Sequence, residues 1–511
     1  MPEYLSPGVY IEEIEPGPRP IEGVSTTTAG FLGVTLRGPQ DPSLITSFAE
    51  FKQVYGGHLP VDVSTLPFAV EGFFQNGGTR CYIRSITGAG AAAMTTDLPA
   101  GADTIFRVEA IGPGEWANRI AAKIEPATLP APHFKLTVMY WDVLPPLPLV
   151  DPTDPGNIGR PNRREPALLE VFDELSADSG SPRFYEALIN SSSNLIRVNP
   201  LSNGATMPAV PLTLLAATGA GGTNGTAIAL ADYQDGLAGF ETIQEISIVA
   251  APDEHRVPSV AAELIAHCTR MRYRIAVLGS NPATDTIANI AQIHPPEDTS
   301  FAAFYFPRLK VFDSQINRDS LVPAVGHIAG VYANTDSRRG VFKAPANEVV
   351  VGATGLEFNI LKLHQDLLNP RGVNCLRVLP PRGVLVWGAR TCSSDAVWRY
   401  INVRRYLLFV EQSIEQGTQW AVFENNDEQL WARVRRAITQ FLTANWRDGA
   451  LLGSTPAEAF FVKMDRTTMT QDDIDNGRLI VLIGVAVVKP AEFVILRLTH
   501  YAQGDSSRHG T

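Results

Sequence analysis

The sequence has 511 residues, of which 45% are apolar and 19% are charged, so it is long enough for several domains and differs from a disordered chain. Its 42 basic and 53 acidic residues give a formal net charge of −11, which argues against a nucleic-acid binder. Apolar stretches such as residues 481–488 are too short to span a bilayer, which takes roughly 20 residues, and the first residues do not resemble a signal peptide. We therefore expect a protein that is made and assembled in the cytoplasm and that does not insert into a membrane.

The N-terminal region is predicted to be a short strand followed by a stiff spacer. Residues 4–14 are β-prone and precede any core-like run. Residues 15–20 contain three prolines and a glycine, so they cannot join a helix and can hold the strand away from the body. The expected contact residues are Tyr4, Val9, Tyr10 and Ile11, and the expected hinge is Pro16, Gly17 and Pro18.

The body begins with a mixed pattern and then changes in composition. Residues 29–35 are predicted to form a buried strand, 66–75 a helix and 81–84 another strand. From residue 87 to 225 the chain has stretches rich in Gly, Ala, Thr and Pro, with sheet-like alternation near 134–140. This change indicates an inserted β-rich domain over residues 87–225.

Strands and helices alternate from residue 228 onward. The predicted strands are 246–250, 274–278, 301–305 and 311–312, and the predicted helices are 260–270 and 322–334. This alternation predicts an α/β core with a doubly wound sheet.

Two long helices are predicted next, each with an N-cap residue. Ser394 is expected to cap a helix over 395–416, and Asn426 one over 427–446. The second helix has one apolar face, formed by Leu430, Val434, Ile438, Phe441 and Leu442.

The C-terminal region contains two β-rich runs, 479–488 and 492–498, separated only by residues 489–491. Unpaired strand edges recruit other chains, so a strand at each end of the sequence predicts a polymer subunit linked by strand exchange. The alternative is that both ends fold back on their own domain. The expected C-terminal contact residues are Phe493, Val494, Ile495, Leu496 and Leu498, with a hinge at Pro490.

Several motifs, taken in order, resemble the contractile tail sheath family of phage tails, R-type bacteriocins and phage-tail-like injection systems. They are SPGVYIEEI (6–14), GFLGVTLRGP (30–39), FFQNGGTRCYIRSI (73–86), ALADYQDGLAGFETIQEISIVAAPD (229–253), NTDSRRGVFKAPANE (334–348), NVRRYLLFVEQSI (402–414) and GVAVVKPAEFVILRL (484–498). The resemblance covers nearly the whole chain except the insertion.

The resemblance implies a structural subunit of a hollow six-start sheath of stacked hexameric rings around an inner tube, with baseplate and terminal cap proteins as further partners. Contraction of such a sheath drives the tube through a target envelope. The resemblance also implies a subtilisin-like core built from both chain ends. The implied parts are exchange arms at 1–22 and 489–511, core parts at 23–86, 226–390 and 391–488, and an outward-facing insertion at 87–225. We favour an injection system, in a particle that can be released from the cell, with a phage tail sheath as the alternative.

Arginines on the two long helices are candidates for docking to the inner tube, which the resemblance places next to a sheath helix. Arg433, Arg435 and Arg436 lie on the second helix, and Arg404 and Arg405 on the first. The alternative for the second helix is a solvated face paired to residues 427–429. Arg338 and Arg339 either bridge subunits or cap the preceding helix.

A hydrolase on the same α/β core is the other function considered. Asp253, His255, His327 and Ser280 supply triad residue types, but there is no GxSxG elbow, and triads are defined by geometry. Glycine-rich residues 219–225 do not complete a phosphate loop, and HExxH is absent, so we expect no catalytic residues, cofactor or metal. The four cysteines are scattered, which predicts buried thiols. A polymerising surface adhesin is a third class, and it is disfavoured because no signal peptide is visible.

Overall fold

The computed structural model describes residues 20–99, 104–202, 207–493 and 495. The first core region contains β1 (Ala29–Gly33), β2 (Ser43–Ile45), α1 (Phe48–Tyr55), α2 (Leu66–Gln75) and β3 (Cys81–Ser85). The insertion contains β4 (Thr95–Leu98), β5 (Phe106–Ala110), β6 (Ile120–Pro126), β7 (Phe134–Tyr140), β8 (Leu168–Leu175), α3 (Tyr185–Ser192), β9 (Ile196–Pro200), β10 (Val210–Leu214) and α4 (Leu215–Thr218).

The rest of the chain falls into a middle and a C-terminal region. The middle region contains α5 (Leu230–Gly239), β11 (Ile248–Ala250), α6 (Val260–Met271), β12 (Ile275–Gly279), β13 (Ala302–Phe306), β14 (Leu309–Asp313), β15 (Arg318–Val322), α7 (Val325–Arg339), β16 (Ala353–Leu356), α8 (Lys362–Leu368), β17 (Val373–Leu379) and β18 (Gly383–Val386). The C-terminal region contains α9 (Ile401–Thr418), α10 (Glu428–Arg447), α11 (Pro456–Ala459), β19 (Phe460–Lys463), α12 (Gln471–Asp475) and β20 (Leu482–Val485).

One large sheet joins the two core regions across the insertion. Its strand order is β18-β17-β13-β12-β11-β1-β3-β2. Neighbouring strands from β17 to β3 run parallel, whereas the edge strands β18 and β2 run antiparallel to their partners. β1 lies between β3 and β11, so residues on both sides of the insertion form one sheet.

Helices cover both faces of this sheet because its strands are apolar on both sides. Within β1, Phe31 belongs to the cluster that includes residues of α2 and α7, and Leu32 belongs to the cluster that includes residues of α5 and α6. All four cysteines are buried and free, as predicted from their spacing.

The insertion has its own sheets and its own apolar core. β10-β6-β7-β8 form one antiparallel sheet and β4-β5-β9 another. Phe106, Phe134 and Tyr185 are fully buried between them. Over the described residues, the sheets of the insertion and of the core share no strand.

The two predicted C-terminal helices are present, with different starting points. α9 begins at Ile401, because Ser394 donates its hydroxyl to Asp298 and Asp395 accepts the Val397 N–H in a turn instead of starting a helix. The N-cap of α10 is Asp427, whose carboxylate accepts from Leu430 N at 2.8 Å. The five residues of the predicted apolar face of α10 are all buried.

Helix α7 lies so close to α2 that only glycine fits at their contact. A Cβ at Gly326 would lie 2.1 Å from the carbonyl oxygen of Ala69, and one at Gly330 would lie 2.4 Å from that of Phe73. Both obstructing atoms are backbone oxygens, which cannot rotate away. The packing of these helices on the large sheet therefore depends on these small residues.

We predict that Gly326→Ala lowers the free energy of unfolding by about 1–3 kcal/mol, because overpacking outweighs the gain in helix propensity of about 1 kcal/mol. Thermal unfolding followed by circular dichroism measures the change. Gly57→Ala is the control, since nothing lies within 4 Å of a Cβ at that position. Equal midpoints for the two variants would contradict the close helix contact.

Candidate assembly surface

The C-terminal region contains a two-stranded sheet with unpaired edges. β19 and β20 pair antiparallel, from Phe460 opposite Val485 to Lys463 opposite Leu482. In the part of the chain that the structure describes, no third strand joins either of them. Each strand therefore has an outer row of backbone N–H and C=O groups without a ladder partner.

The outer face of this sheet carries exposed apolar side chains beside Lys463. Phe460 is buried among residues of α10, but Phe461 on the opposite face is 58% exposed, next to the exposed Leu482. Ile483 lies on the face of Phe460 and is 36% exposed. The Phe461 ring covers Gly484, where a Cβ would lie 2.2 Å from the ring. Exposed apolar side chains beside unpaired strand edges are typical of a surface that accepts another strand.

The predicted strand 479–488 is shorter in the structure because the chain changes partners. After β20, Ala486 N donates to Ala459 O, and Ala486 O accepts from Leu452 N. Val488 N then donates to Ala450 O. Ala486 thus extends the pairing with β19 by one residue, to Ala459, and the backbone of residues 486–488 then contacts the segment after α10.

The second predicted strand, 492–498, does not form over residues 492, 493 and 495. Glu492 instead binds Asn369, which directly follows α8 of the middle region, Arg390, which follows β18, and Tyr400, which directly precedes α9. Phe493 and Ile495 are 72% and 78% exposed. The remaining predicted contact residues of this segment, Val494, Leu496 and Leu498, lie outside the described residues.

At the other end, the first described residues lie along α9. Ile21 fits against Gly417, Val24 N donates to Ser413 Oγ at 3.1 Å, and Thr26 Oγ1 donates to Asp336 at 2.6 Å. The start of the core is therefore attached to the C-terminal region. The predicted contact residues Tyr4, Val9, Tyr10 and Ile11 and the hinge Pro16, Gly17 and Pro18 lie outside the described residues.

Arg404 and Arg405 face the interior of the subunit. Arg405 forms a bidentate pair with Asp336 on α7, and the two side chains are only 3% and 2% exposed. Arg405 also donates to the backbone oxygen of Thr26 at 2.8 Å. Arg404 lies over the rings of Phe301 and Trp398, and burial lowers its pKa. In this conformation neither arginine presents its charge to an external partner.

The arginines of α10 are at the surface. Arg435 and Arg436 are exposed, and neither has an ion-pair partner among the described residues. Arg433 is tied to its neighbours, since it lies over the Trp420 ring and 3.5 Å from the Glu424 carboxylate. The acidic residues near the start of α10 are engaged elsewhere, because Asp427 caps the helix and Glu428 pairs with Arg466.

The residues considered for a hydrolytic triad are not assembled as one. The Asp253 carboxylate accepts hydrogen bonds from Ser64 Oγ, Thr65 N and Thr65 Oγ1 at 2.9–3.1 Å. Ser280 is 3% exposed and His327 is 2% exposed, and burial lowers the pKa of His327 to about 4. Within the described residues no hydrogen bond joins the candidate Asp, His and Ser side chains, and no cluster of His, Cys, Asp and Glu could hold a metal ion.

Two family models match this chain. The model of the phage tail sheath protein central domain matches residues 226–392, and that of the phage tail sheath C-terminal domain matches residues 393–500. Together they cover more than half of the sequence. The chain belongs to the phage tail sheath family.

Relatives of this sheath-family chain include a tail sheath protein of Burkholderia phage BcepMu, 25% identical over 374 residues, which cover 67% of this chain and 75% of that protein. A prophage major tail sheath protein of Pseudomonas aeruginosa (strain UCBPP-PA14) is 27% identical over 255 residues, 48% of this chain and 62% of that protein. The match thus spans less than two thirds of the latter's length.

The fold is shared with a solved sheath. The sheath complex of PVC, an extracellular contractile injection system, in its contracted state has a TM-score of 0.59 and 22% identity, and the match covers 98% of this chain and 99% of that chain. The predicted mixed α/β class is confirmed, and the finer comparison with subtilisin stays a prediction. Among the described helices of the chain, none is long and apolar enough to cross a membrane.

The sequence reasoning missed two features of this surface. β19 went unrecognised, although its residues 460–462 are an apolar run between Pro456 and Asp465. The contact between Arg390 and Glu492 had no sequence signal, because 102 residues separate the two partners.

We predict that Asp336→Ala lowers the free energy of unfolding by about 3–5 kcal/mol, because it leaves the Arg405 guanidinium buried without a counter-charge. Chemical denaturation of the full chain measures the loss. The control is Glu428→Ala. The Glu428 side chain is 71% exposed, and that of its ion-pair partner Arg466 is 65% exposed. Exposed pairs contribute about 0–1 kcal/mol. A loss at Asp336 no larger than at Glu428 would show that the buried pair does not hold α7 to α9.

Proposed function

We propose that this chain is the repeating subunit of a contractile sheath, which polymerises around an inner tube by exchanging terminal strands. One observation carries the proposal: β19 and β20 have unpaired edges and an exposed apolar surface within the described chain. The chain also contains a mostly apolar segment, residues 493–498, whose described residues Phe493 and Ile495 are exposed on their own subunit. An acceptor and a donor of strands in one subunit allow an open-ended polymer.

Exchange between subunits is favoured over folding back. Glu492 binds Arg390 and Asn369 of the middle region, so the base of the C-terminal segment is held by residues other than those of β19 and β20. Each ladder hydrogen bond nets only about 1 kcal/mol. Repetition over two terminal segments and many subunits makes the polymer stable through multivalency.

The inner tube docks, in this proposal, on the exposed face of α10. Arg435 and Arg436 present two cations there that no carboxylate of the described subunit neutralises. Long-range attraction to an acidic surface on the tube protein would guide assembly and would weaken as salt screens it.

The sheath contracts by rotating its cores while the exchanged strands stay paired. The extended lattice is metastable, and reorganised core contacts release its stored free energy. Family membership and the shared fold support a particle of the phage-tail type, with baseplate and terminal cap proteins at the sheath ends. An injection system assembled in the cytoplasm is preferred, with a phage tail sheath as the second candidate.

Removing residues 493–511, while keeping Glu492, is expected to give a folded subunit that does not polymerise. Removing residues 1–19 is expected to have the same effect, since each deletion takes away one strand donor. Sedimentation and negative-stain electron microscopy measure polymer, and thermal unfolding reports folding. A chain lacking only residues 502–511 is the control, because it keeps every predicted contact residue. Normal sheaths from either of the longer deletions would contradict strand exchange.

Reversing the charge of one docking residue is expected to weaken tube binding. We predict that Arg435→Glu lowers the affinity for the tube protein by about tenfold, equivalent to about 1.4 kcal/mol. Arg160→Glu makes the same charge change on the insertion, at an exposed arginine without an ion pair among the described residues, and is expected to have no effect. Co-sedimentation at two salt concentrations distinguishes them. Equal binding by both variants would remove α10 as the docking face.

A further inference from the structure

The carboxylate of Glu492 is held by hydrogen bonds from three side chains. Arg390 donates from Nε to Oε1 at 2.9 Å and from Nη2 to Oε2 at 2.7 Å. Asn369 Nδ2 donates to Oε1 at 2.7 Å, and the Tyr400 hydroxyl donates to Oε2 at 3.1 Å. Both carboxylate oxygens are therefore fully engaged. Bidentate, charge-assisted bonds of this kind are among the strongest in proteins and fix orientation as well as distance.

Arg390 is itself fixed to the large sheet. Its backbone N–H donates to Asn374 Oδ1 at 2.7 Å, and its carbonyl oxygen accepts from Asn374 Nδ2 at 2.7 Å. Asn374 lies on β17 and is fully buried. Arg390 Nη1 also donates to the Asn369 carbonyl oxygen at 3.0 Å. A continuous set of hydrogen bonds thus connects the large sheet to Glu492.

The predicted hinge at Pro490 lies between two attachment points. On one side, Val488 N donates to Ala450 O, and Asn402 Nδ2 donates to Val488 O. On the other side is Glu492 with its three partners. Only three residues separate these attachments. A bend at Pro490 cannot swing the segment outward while Glu492 stays bound.

We propose that Glu492 and Arg390 form a clamp that fixes the base of the C-terminal exchange segment to the large sheet and directs Phe493 and Ile495 toward a second copy of this chain. The inference rests on the proposed strand exchange. It makes Arg390 and Glu492 positioning residues, and it moves the pivot from Pro490 to the residues after Glu492. Because the exchanged strand is then rigidly connected to the large sheet, rotation of the sheet during contraction moves the strand with it.

The charge state of Glu492 agrees with this role. Burial by itself raises the pKa of the carboxyl, but the hydrogen bonds from Arg390 and Asn369 outweigh it and hold the pKa below its usual range. Glu492 is therefore ionised at neutral pH. Replacing it by Gln removes the charge and keeps the size of the side chain.

The test uses the full-length chain with a spin label at Ala491→Cys, which labels selectively because the four native cysteines are buried. Glu492→Gln is expected to make the label mobile and to raise the protein concentration needed for polymer by about tenfold or more. Lys489→Gln is the matched control, since it removes a charge from an exposed residue three positions earlier. That variant is expected to match the unsubstituted chain in both measurements.

The outcomes separate the clamp from the sheath function. A label that stays equally immobile in Glu492→Gln overturns the clamp, and so does normal polymerisation with a mobile label. Absence of polymer in the unsubstituted chain and in Lys489→Gln overturns the proposed function, while label mobility still decides whether the clamp exists. The double variant Arg390→Met/Glu492→Gln is expected to raise the concentration needed for polymer no further than the more severe of the two single variants does. The reason is that the two substitutions remove the same interaction.

Discussion

The constraint on which the proposed assembly depends is a set of backbone groups on β19 and β20 that have no ladder partner among the described residues. An N–H or C=O group that becomes buried without a partner costs about 1–3 kcal/mol, so an apolar strand edge must remain in water or gain another strand. The exposed Phe461, Leu482 and Ile483 make water a poor partner for this surface. In the proposed assembly, a strand from a second copy pairs with these backbone groups and covers these side chains at the same time.

Two buried or partly buried ion pairs attach the beginning and the end of the described chain to the core. The Arg405–Asp336 pair joins α9 to α7 and also binds Thr26, near the start of the described chain. Glu492 joins the last described residues to Arg390. Both contacts are shielded charge pairs with fixed geometry, and breaking either leaves a charge poorly solvated. In the proposed sheath, these contacts let the subunit rotate as one body and act on its neighbours through its terminal segments.

Sequence patterns predicted the elements whose signal is local. The apolar face of α10 and the buried strands of the large sheet follow from periodicity, which a single segment carries. The predicted start of α9 was wrong because Ser394 binds Asp298, which is distant in the sequence, instead of capping a helix. Arg404 and Arg405 carry the same charge as Arg435 and Arg436, and only tertiary packing separates the buried pair from the exposed one. Long-range partners also explain why the Glu492 contact had no sequence signal.

The most direct test is an electron cryo-microscopy reconstruction of the assembled protein at a resolution that traces β19 and β20. The account predicts additional strands on this sheet, contributed by the terminal segments of neighbouring copies. A sheet that remains two-stranded, or one completed by the terminal segments of its own subunit, would contradict strand exchange as the basis of the polymer.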